Sequence, residues 1–224
     1  MAGLIDMGWE GPVAAYMLRG LIATLELTLI CSVASLVAGT LLGVAFIAEA
    51  RPLVAAIRLY VELWRGLPLI VILFFVFFAL PVFDLRLSAF WAAAVGLSLW
   101  GSAITAENVR GAVESIPRSQ REGARALGFG WVAMMWFVVL PQALRRLLPP
   151  TLNMLTSLIH GTSLAAQLGV LELLESGRRS IQRLLLDFGD SHSLEIFGAI
   201  LLIYFVICYP LTSLSRAFER RLTI

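Results

Sequence analysis

Five apolar runs, each close to the length of a bilayer crossing and separated by arginine-bearing segments, dominate this chain. Crossing the hydrocarbon core takes about 20 apolar residues in an α-helix. The runs cover Leu21 to Ile47, Pro68 to Phe83, Ser88 to Val109, Leu147 to Leu168 and Leu194 to Leu214. The second is short, and Leu53 to Trp64 is expected to extend it on its near side. A further apolar stretch, Trp131 to Leu140, is only about ten residues long before a Leu-Pro break, so it is read as lying against the membrane or the bundle. The bilayer is the solvent of such a chain: 59% of its residues are apolar and 14% charged, more apolar surface than a water-soluble core requires. The expected fold class is therefore all-α integral membrane, with five transmembrane helices in one domain spanning residues 1–224.

Several function classes fall away on composition. Cys31 and Cys208 both lie inside apolar stretches, which leaves neither a disulfide framework nor a metal site with ligand spacing. A net charge of +2 without a basic stripe excludes a nucleic-acid binder. The first fifteen residues lack the charged start and small-residue cleavage site of a secretory signal, so the first helix is expected to remain in place.

Arginine placement sets the orientation, because cytoplasmic loops carry the basic excess. With the N-terminus outside and the C-terminus in the cytoplasm, Arg51, Arg58, Arg65, Arg110, Arg118, Arg121, Arg125, Arg145, Arg146, Arg216, Arg220 and Arg221 lie inside. Only Arg19, Arg86, Arg178, Arg179 and Arg183 lie outside. The polar hairpin of residues 116–141 is then cytoplasmic. Within it, Ser119-Gln120-Arg121-Glu122 fits a capping box, with Ser119 closing the first turn and Glu122 reaching back to the cap amide. Gly128 is placed to supply the left-handed residue that ends a helix, which limits this one to about two turns ending at Leu127. Arg118, Arg121 and Arg125 form a basic stripe beside Gln120, Ala124, Leu127 and Trp131. By themselves these arginines have two readings: they enforce topology alone, or they meet an acidic partner while the small stripe fits a groove.

Glu122 to Pro141, EGARALGFGWVAMMWFVVLP, resembles the EAA signature of permease subunits of ATP-binding-cassette (ABC) importers. It departs from that pattern at Gly123, where alanine is usual, and at Val138, where isoleucine is usual; a glycine costs about 1 kcal/mol in a helix but keeps the profile small. The likeness extends to the polar amino-acid branch of these permeases through GLIATLELT (residues 20–28), YVELWRGLPL (60–69), ENVRGAVESIP (107–117), LPQALRRLLPPTLN (140–153), TSLA (162–165) and GVLEL (169–173). The resemblance implies a type I importer (MetI-like) permease fold in which this helix is the coupling helix, held in a cleft of a cytoplasmic ATPase. The coupling residues it implies are Arg121, Glu122, Gly123, Ala124, Arg125, Leu127, Gly128, Leu140 and Pro141. It further implies a dimer of cytoplasmic ATPases, a second permease subunit, an external solute-binding protein, an amino-acid-like solute and a place in a bacterial inner membrane. ATP and magnesium belong to the partner: this chain has no Gly-rich loop ending in Gly-Lys-Ser/Thr, and no lysine at all.

Polar groups within membrane helices avoid lipid, so their faces mark either a wet path or a helix contact. Ser98, Ser102 and Thr105 recur at helical spacing on the third span, with Gly101 beside them. Asn153, Thr156, Ser157, His160 and Gln167 share a face of the fourth. Facing each other, they could line a solute path that Thr162 and Ser163 complete; equally, such residues can simply hold helices together. His160-Gly161 occupies the position where resembling permeases often carry a charged pair, so no carboxylate is available there for a cationic side chain.

Other charges have mainly structural readings. Glu26 lies near the outer edge of the first span, and Glu107 and Asn108 lie at the inner end of the third. Glu62 and Arg65 sit three apart on one face, where they could form a gate ion pair. Glu172 to Ser193 reads as a solvated amphipathic surface, or, on the resemblance, as part of the platform where the binding protein docks. The rival class is an ion-coupled carrier or channel, which usually displays broken helices or mid-span ionisable residues. An intramembrane enzyme lacks its constellation, since neither His160 nor His192 falls in a recognisable catalytic or metal motif.

Overall fold

The computed structural model describes residues 10–47 and 51–222; most of the N-terminal stretch on which the absence of a signal was read lies outside them. Helix α1, Glu10–Phe46, has 37 residues and a length of about 55 Å at 1.5 Å per residue, well over the ~30 Å hydrocarbon core. One of its faces is a stripe of exposed Leu18, Leu25, Leu29, Val33, Val37 and Leu41. The opposite face buries Leu27, Cys31 and Ser35 against α4, Ala89–Glu114. Ser88 starts α4 by accepting the Trp91 amide at 3.5 Å.

Small residues let α1 and α4 approach almost to backbone contact. A Cβ added to Gly39 would lie 2.4 Å from the Thr105 Cβ and 2.6 Å from the Ser102 carbonyl, and one added to Gly101 would meet the Ser35 hydroxyl at 2.2 Å. Cys31 points its thiol at the Ala94 carbonyl, 3.6 Å away. Both cysteines are free and buried.

The second span differs from its expected form. Helices α2, Arg51–Gly66, and α3, Leu69–Ala79, which ends in a 3-10 turn at Leu80–Phe83, meet at a bend of 106°. Leu53 to Trp64 therefore turns away instead of extending the span. Pro68, at φ −57° and ψ 134°, explains the break, because a proline disfavours helical geometry in the residue before it. Leu67 cannot carry the helix through. Helix α2 instead packs Ile57 and Val61 against Phe46 and Ala106.

Trp131 to Leu140 lies against the bundle through Met134 and Val139, as expected, but the expected break at Leu-Pro is missing. The segment does not lie apart from the fourth span: α6 (Trp131–Met134), a π-turn (Met135–Val139), α7 (Leu140–Thr162) and a 3-10 turn (Ser163–Leu168) succeed one another without a break, giving a stretch of 38 residues. Pro141 stands in the first turn of α7, where its missing N–H is tolerated. The π-turn just before it shifts the hydrogen bonding, the Leu140 amide reaching back to Met135. Among the described residues, four stretches are long and apolar enough to cross a membrane: Gly11–Phe46, Ala89–Glu114, Trp131–Leu168 and Ser193–Arg221, with α2 and α3 as a fifth if the bent pair counts as one span.

At the far end of the bundle from α5 (Arg118–Ala126), α8 (Leu173–Phe188) is wedged between α1 and α9 (Ser193–Leu222). Glu172, expected among solvated charges, is fully buried. It caps α8 by accepting the amides of Glu175 at 2.7 Å and Leu174 at 2.9 Å, and the Tyr204 hydroxyl of α9 donates to it at 3.1 Å. The Leu173 amide donates to Thr24 of α1 at 3.0 Å. One cap thus joins three helices. Glu175, Arg178, Arg179, Arg183 and Asp187, by contrast, form pairs at i+3 and i+4 along α8.

Burial raises the Glu172 carboxyl above its ordinary value of 4.5, against the lowering effect of its hydrogen bonds. A carboxyl raised in the folded state stabilises fully below its unfolded pKa and progressively less as pH rises through the folded one. Thermal unfolding of the purified protein should therefore show this site's stabilisation declining from pH 4.5 upward, and Glu172→Gln should remove that component.

Candidate functional site

Helix α5 begins two residues earlier than a capping box on Ser119 requires. Pro117, at φ −54° and ψ 141°, precedes its first turn, and no side chain caps it. Ser119 and Glu122 stand exposed inside the helix. Proline sets the entry because its fixed φ and missing donor suit the start of a helix, and buried Ile116 anchors the residue before it. The other end closes as the glycine indicates. Gly128 sits at φ +81°, its amide donates to Arg125 at 2.9 Å and the Phe129 amide to Ala124 at 3.0 Å, the paired bonds of a Schellman cap.

The helix has an inner and an outer side. Ala124 is buried with Val113, Ile116, Met134, Val139 and Ala143, so it faces the bundle and not a partner's groove. The small stripe expected from the sequence is split, because α5 stops at Ala126 and Gly128 turns the chain: Leu127, 80% exposed, and Trp131 point outward. Arg118, Gln120, Glu122, Gly123 and Arg125 are exposed as well. Arg121 is half-buried and donates to the Val113 carbonyl at 2.6 Å. Leu140 is half-buried and Pro141 exposed.

The two polar faces expected to line a path do not oppose each other. On α4, Ser102 is buried and shares a 2.7 Å hydrogen bond with Tyr60 of α2. Buried Thr105 donates to Gly101 at 2.8 Å, and the Ser98 carbonyl accepts Ser35 of α1 at 3.4 Å. These residues fasten α4 to α1 and α2, with Ser98 and Ser102 also bordering a groove beside Tyr60. Toward α7, α4 presents Leu97 to Leu158 and Gly161. On α7, Asn153, Ser157 and His160 form an exposed stripe, with Gln167 exposed in the 3-10 turn beyond. Ser157 donates to Asn153 at 2.9 Å, and Ser163, half-buried, to His160 at 2.7 Å. Thr162 is buried and donates to Ile159 at 2.7 Å, so its hydroxyl is not presented to the stripe.

Toward the C-terminal end of α4, Glu107 binds Arg110 at 2.6 Å and Arg65 at 3.5 Å, while Arg110 also lies 5.5 Å from the centre of the Phe46 ring. No ion pair joins Glu62 to Arg65 among the described residues; Arg65 reaches across to α4 instead. Sequence reasoning missed this link and the Tyr60–Ser102 pair, since both depend on where the 106° bend places α2. Among the described residues no group of three or more His, Cys, Asp or Glu is placed to hold a metal.

Residues 35–224 match the family described as binding-protein-dependent transport system inner membrane component. The probable glutamine ABC transporter permease protein GlnP of Bacillus subtilis is 34% identical, over 93% of this chain and 94% of its own length. The glutamine transport system permease protein GlnP of Escherichia coli (strain K12) is 36% identical over 95% of each chain. The arginine transport system permease protein ArtQ of Bacillus subtilis is 32% identical over 97% of each. Among solved structures, an amino acid ABC transporter crystallised with histidines superposes at a TM-score of 0.83, with 26% identity over 93% of this chain and 94% of that one.

Gly128 gives a direct test of the α5 cap. An L side chain in the left-handed region costs about 1–2 kcal/mol, so Gly128→Ala should speed hydrogen exchange at the Phe129 amide roughly tenfold while leaving exchange within α4 unchanged.

Proposed function

Since the chain belongs to the family of binding-protein-dependent transport system inner membrane components, it is a multi-pass permease subunit of an ABC importer, and we propose that it carries an amino acid or related small polar solute inward. The observation that carries this reading is the polar stripe of Asn153, Ser157 and His160 on α7. Exposed leucine, valine and phenylalanine cover much of the remaining helix surface, as lipid requires. A polar stripe in such a surface faces water or another protein. A second permease subunit, identical or homologous, covers it and encloses a path between the two copies. Ser157, His160, Ser163 and Gln167 contact the solute, while Ser98, Ser102 and Thr162 shape the path from behind by fixing the helices. Relatives named for glutamine and arginine support the solute class.

The whole chain acts as one membrane domain, N-terminus outside and C-terminus in the cytoplasm, with the 116–141 hairpin on the inner side. An external binding protein delivers the solute at the opposite end, over α8. Two cytoplasmic ATPases hold ATP and magnesium, and each grips one α5 by its outward face: Arg118, Glu122, Gly123, Arg125 and Leu127. Closure of the ATPases draws the two α5 helices together and turns the spans from inward to outward opening. No covalent step takes place in this chain.

Leu127→Glu places a charge at the most exposed apolar position of the hairpin. It should cut ATPase co-purification about tenfold, the size of a moderate interface hot spot, with unchanged thermal stability of the permease itself. ATP-dependent uptake by the reconstituted complex tests the function as a whole. Uptake driven by an ion gradient in vesicles holding this chain alone would establish the rival carrier.

A further inference from the structure

We propose that Arg121 and Arg146 form a double clamp on the C-terminal end of α4, through which displacement of α5 is passed into the spans; this rests on the reading of α5 as the ATPase-gripped helix. The last carbonyls of a helix lack intrahelical donors and must be satisfied from elsewhere. At α4 they are met by a specific set of groups. The Ala112 carbonyl takes the Ser115 hydroxyl at 2.7 Å. The Val113 carbonyl takes the Ile116 amide at 3.3 Å and the Arg121 guanidinium, from α5, at 2.6 Å. The Ser115 carbonyl takes the Arg146 guanidinium, from α7, at 2.6 Å, and the same Nη1 lies 3.1 Å from the Ser115 hydroxyl.

Two cationic donors therefore converge on the negative end of one helix dipole, each from a different element. Apolar packing alone would hold these three helices loosely. The cluster they share is built largely of alanine and valine, and contacts of that kind have no direction, so one surface can slide over another. A charged hydrogen bond to a particular backbone carbonyl fixes register. The Arg121 Nε adds a second indication, being buried without a partner: an unconstrained arginine would turn this donor to water, and the packing of α5 holds it against α4 instead. The basic stripe of α5 thus divides its work. Arg118 and Arg125 face outward to the partner, and Arg121 faces inward to the permease.

The test uses the complete transporter, this chain with its second permease subunit, its ATPases and binding protein, reconstituted in lipid vesicles. Arg146→Gln removes one clamp at a residue outside the surface assigned to the ATPase. ATPase co-purification should be retained, and solute taken up per ATP hydrolysed should fall roughly tenfold, within the usual range of site-to-site coupling. Arg121→Gln should lower the same ratio. Arg146→Lys, which keeps a cationic donor, should restore much of it. An unchanged ratio in Arg146→Gln, or a lysine variant no better than the glutamine one, overturns the clamp.

Spin labels on cysteines placed at Ser119 of α5 and Leu144 of α7, both exposed and outside the surface assigned to the ATPase, read the linkage without transport. Their separation should stay narrow in the parent protein with and without ATP, and broaden in Arg146→Gln; equal widths overturn the proposal. If the parent protein fails to associate with any ATPase, the functional reading itself fails, an outcome distinct from both.

Discussion

Close approach of α1 to α4 is the constraint on which the rest of this molecule depends. Lipid offers helices no hydrophobic reason to associate, so the contact has to come from packing and hydrogen bonds. Gly39 and Gly43 on one helix and Gly101 on the other remove the side chains that would hold the backbones apart. Ser35 and Cys31 then reach carbonyls of the neighbouring helix. With α4 fixed in this way, its other sides can receive α2 through Tyr60, α3 through Gly96 and Leu73, and α7 through Leu158. α4 is the post to which the other helices are tied, and it is also the helix whose C-terminal end carries α5.

Much of this was legible in the sequence. Apolar run length located the spans because the bilayer imposes a length on any helix that crosses it. Gly128 marked the end of α5 because few other residues adopt φ +81° without strain. What escaped was three-dimensional direction. Ala124 was grouped with Leu127 and Trp131 on helical spacing, but spacing stops meaning anything once the helix ends at Ala126. Ser119 and Glu122 match a capping pattern, yet Pro117 sets the helix start two residues before the serine. Glu172 looked like one more surface charge among its neighbours; only the folded chain brings Thr24 and Tyr204, distant in sequence, to the cap it forms.

The polar residues divide in an informative way. On α4, Ser102 bonds across to Tyr60 of α2 and Thr105, bonded back to Gly101, is buried against α1, whereas on α7 Ser157 bonds back to Asn153 and leaves its face open. Sequence could count both sets but not tell them apart, because a hydroxyl in a membrane helix serves either end. The relatives, matched from end to end, and the solved amino acid transporter at a TM-score of 0.83 place this arrangement within a known architecture.

The π-turn at Met135–Val139 has a consequence for how this lineage can vary. A wide turn holds one residue more than an α-helix needs for the same advance, and each residue rotates the remainder of the helix by about 100°. Val139 and Met134 are packed against α5, while Asn153 and His160 lie farther along the same rod. Loss of a single residue from this coil would leave the hairpin docked yet swing the hydrophilic face of α7 a quarter-turn toward hydrocarbon. Insertions and deletions there are thus barred by angle and not by length, and the tolerated exchanges are those that preserve residue number.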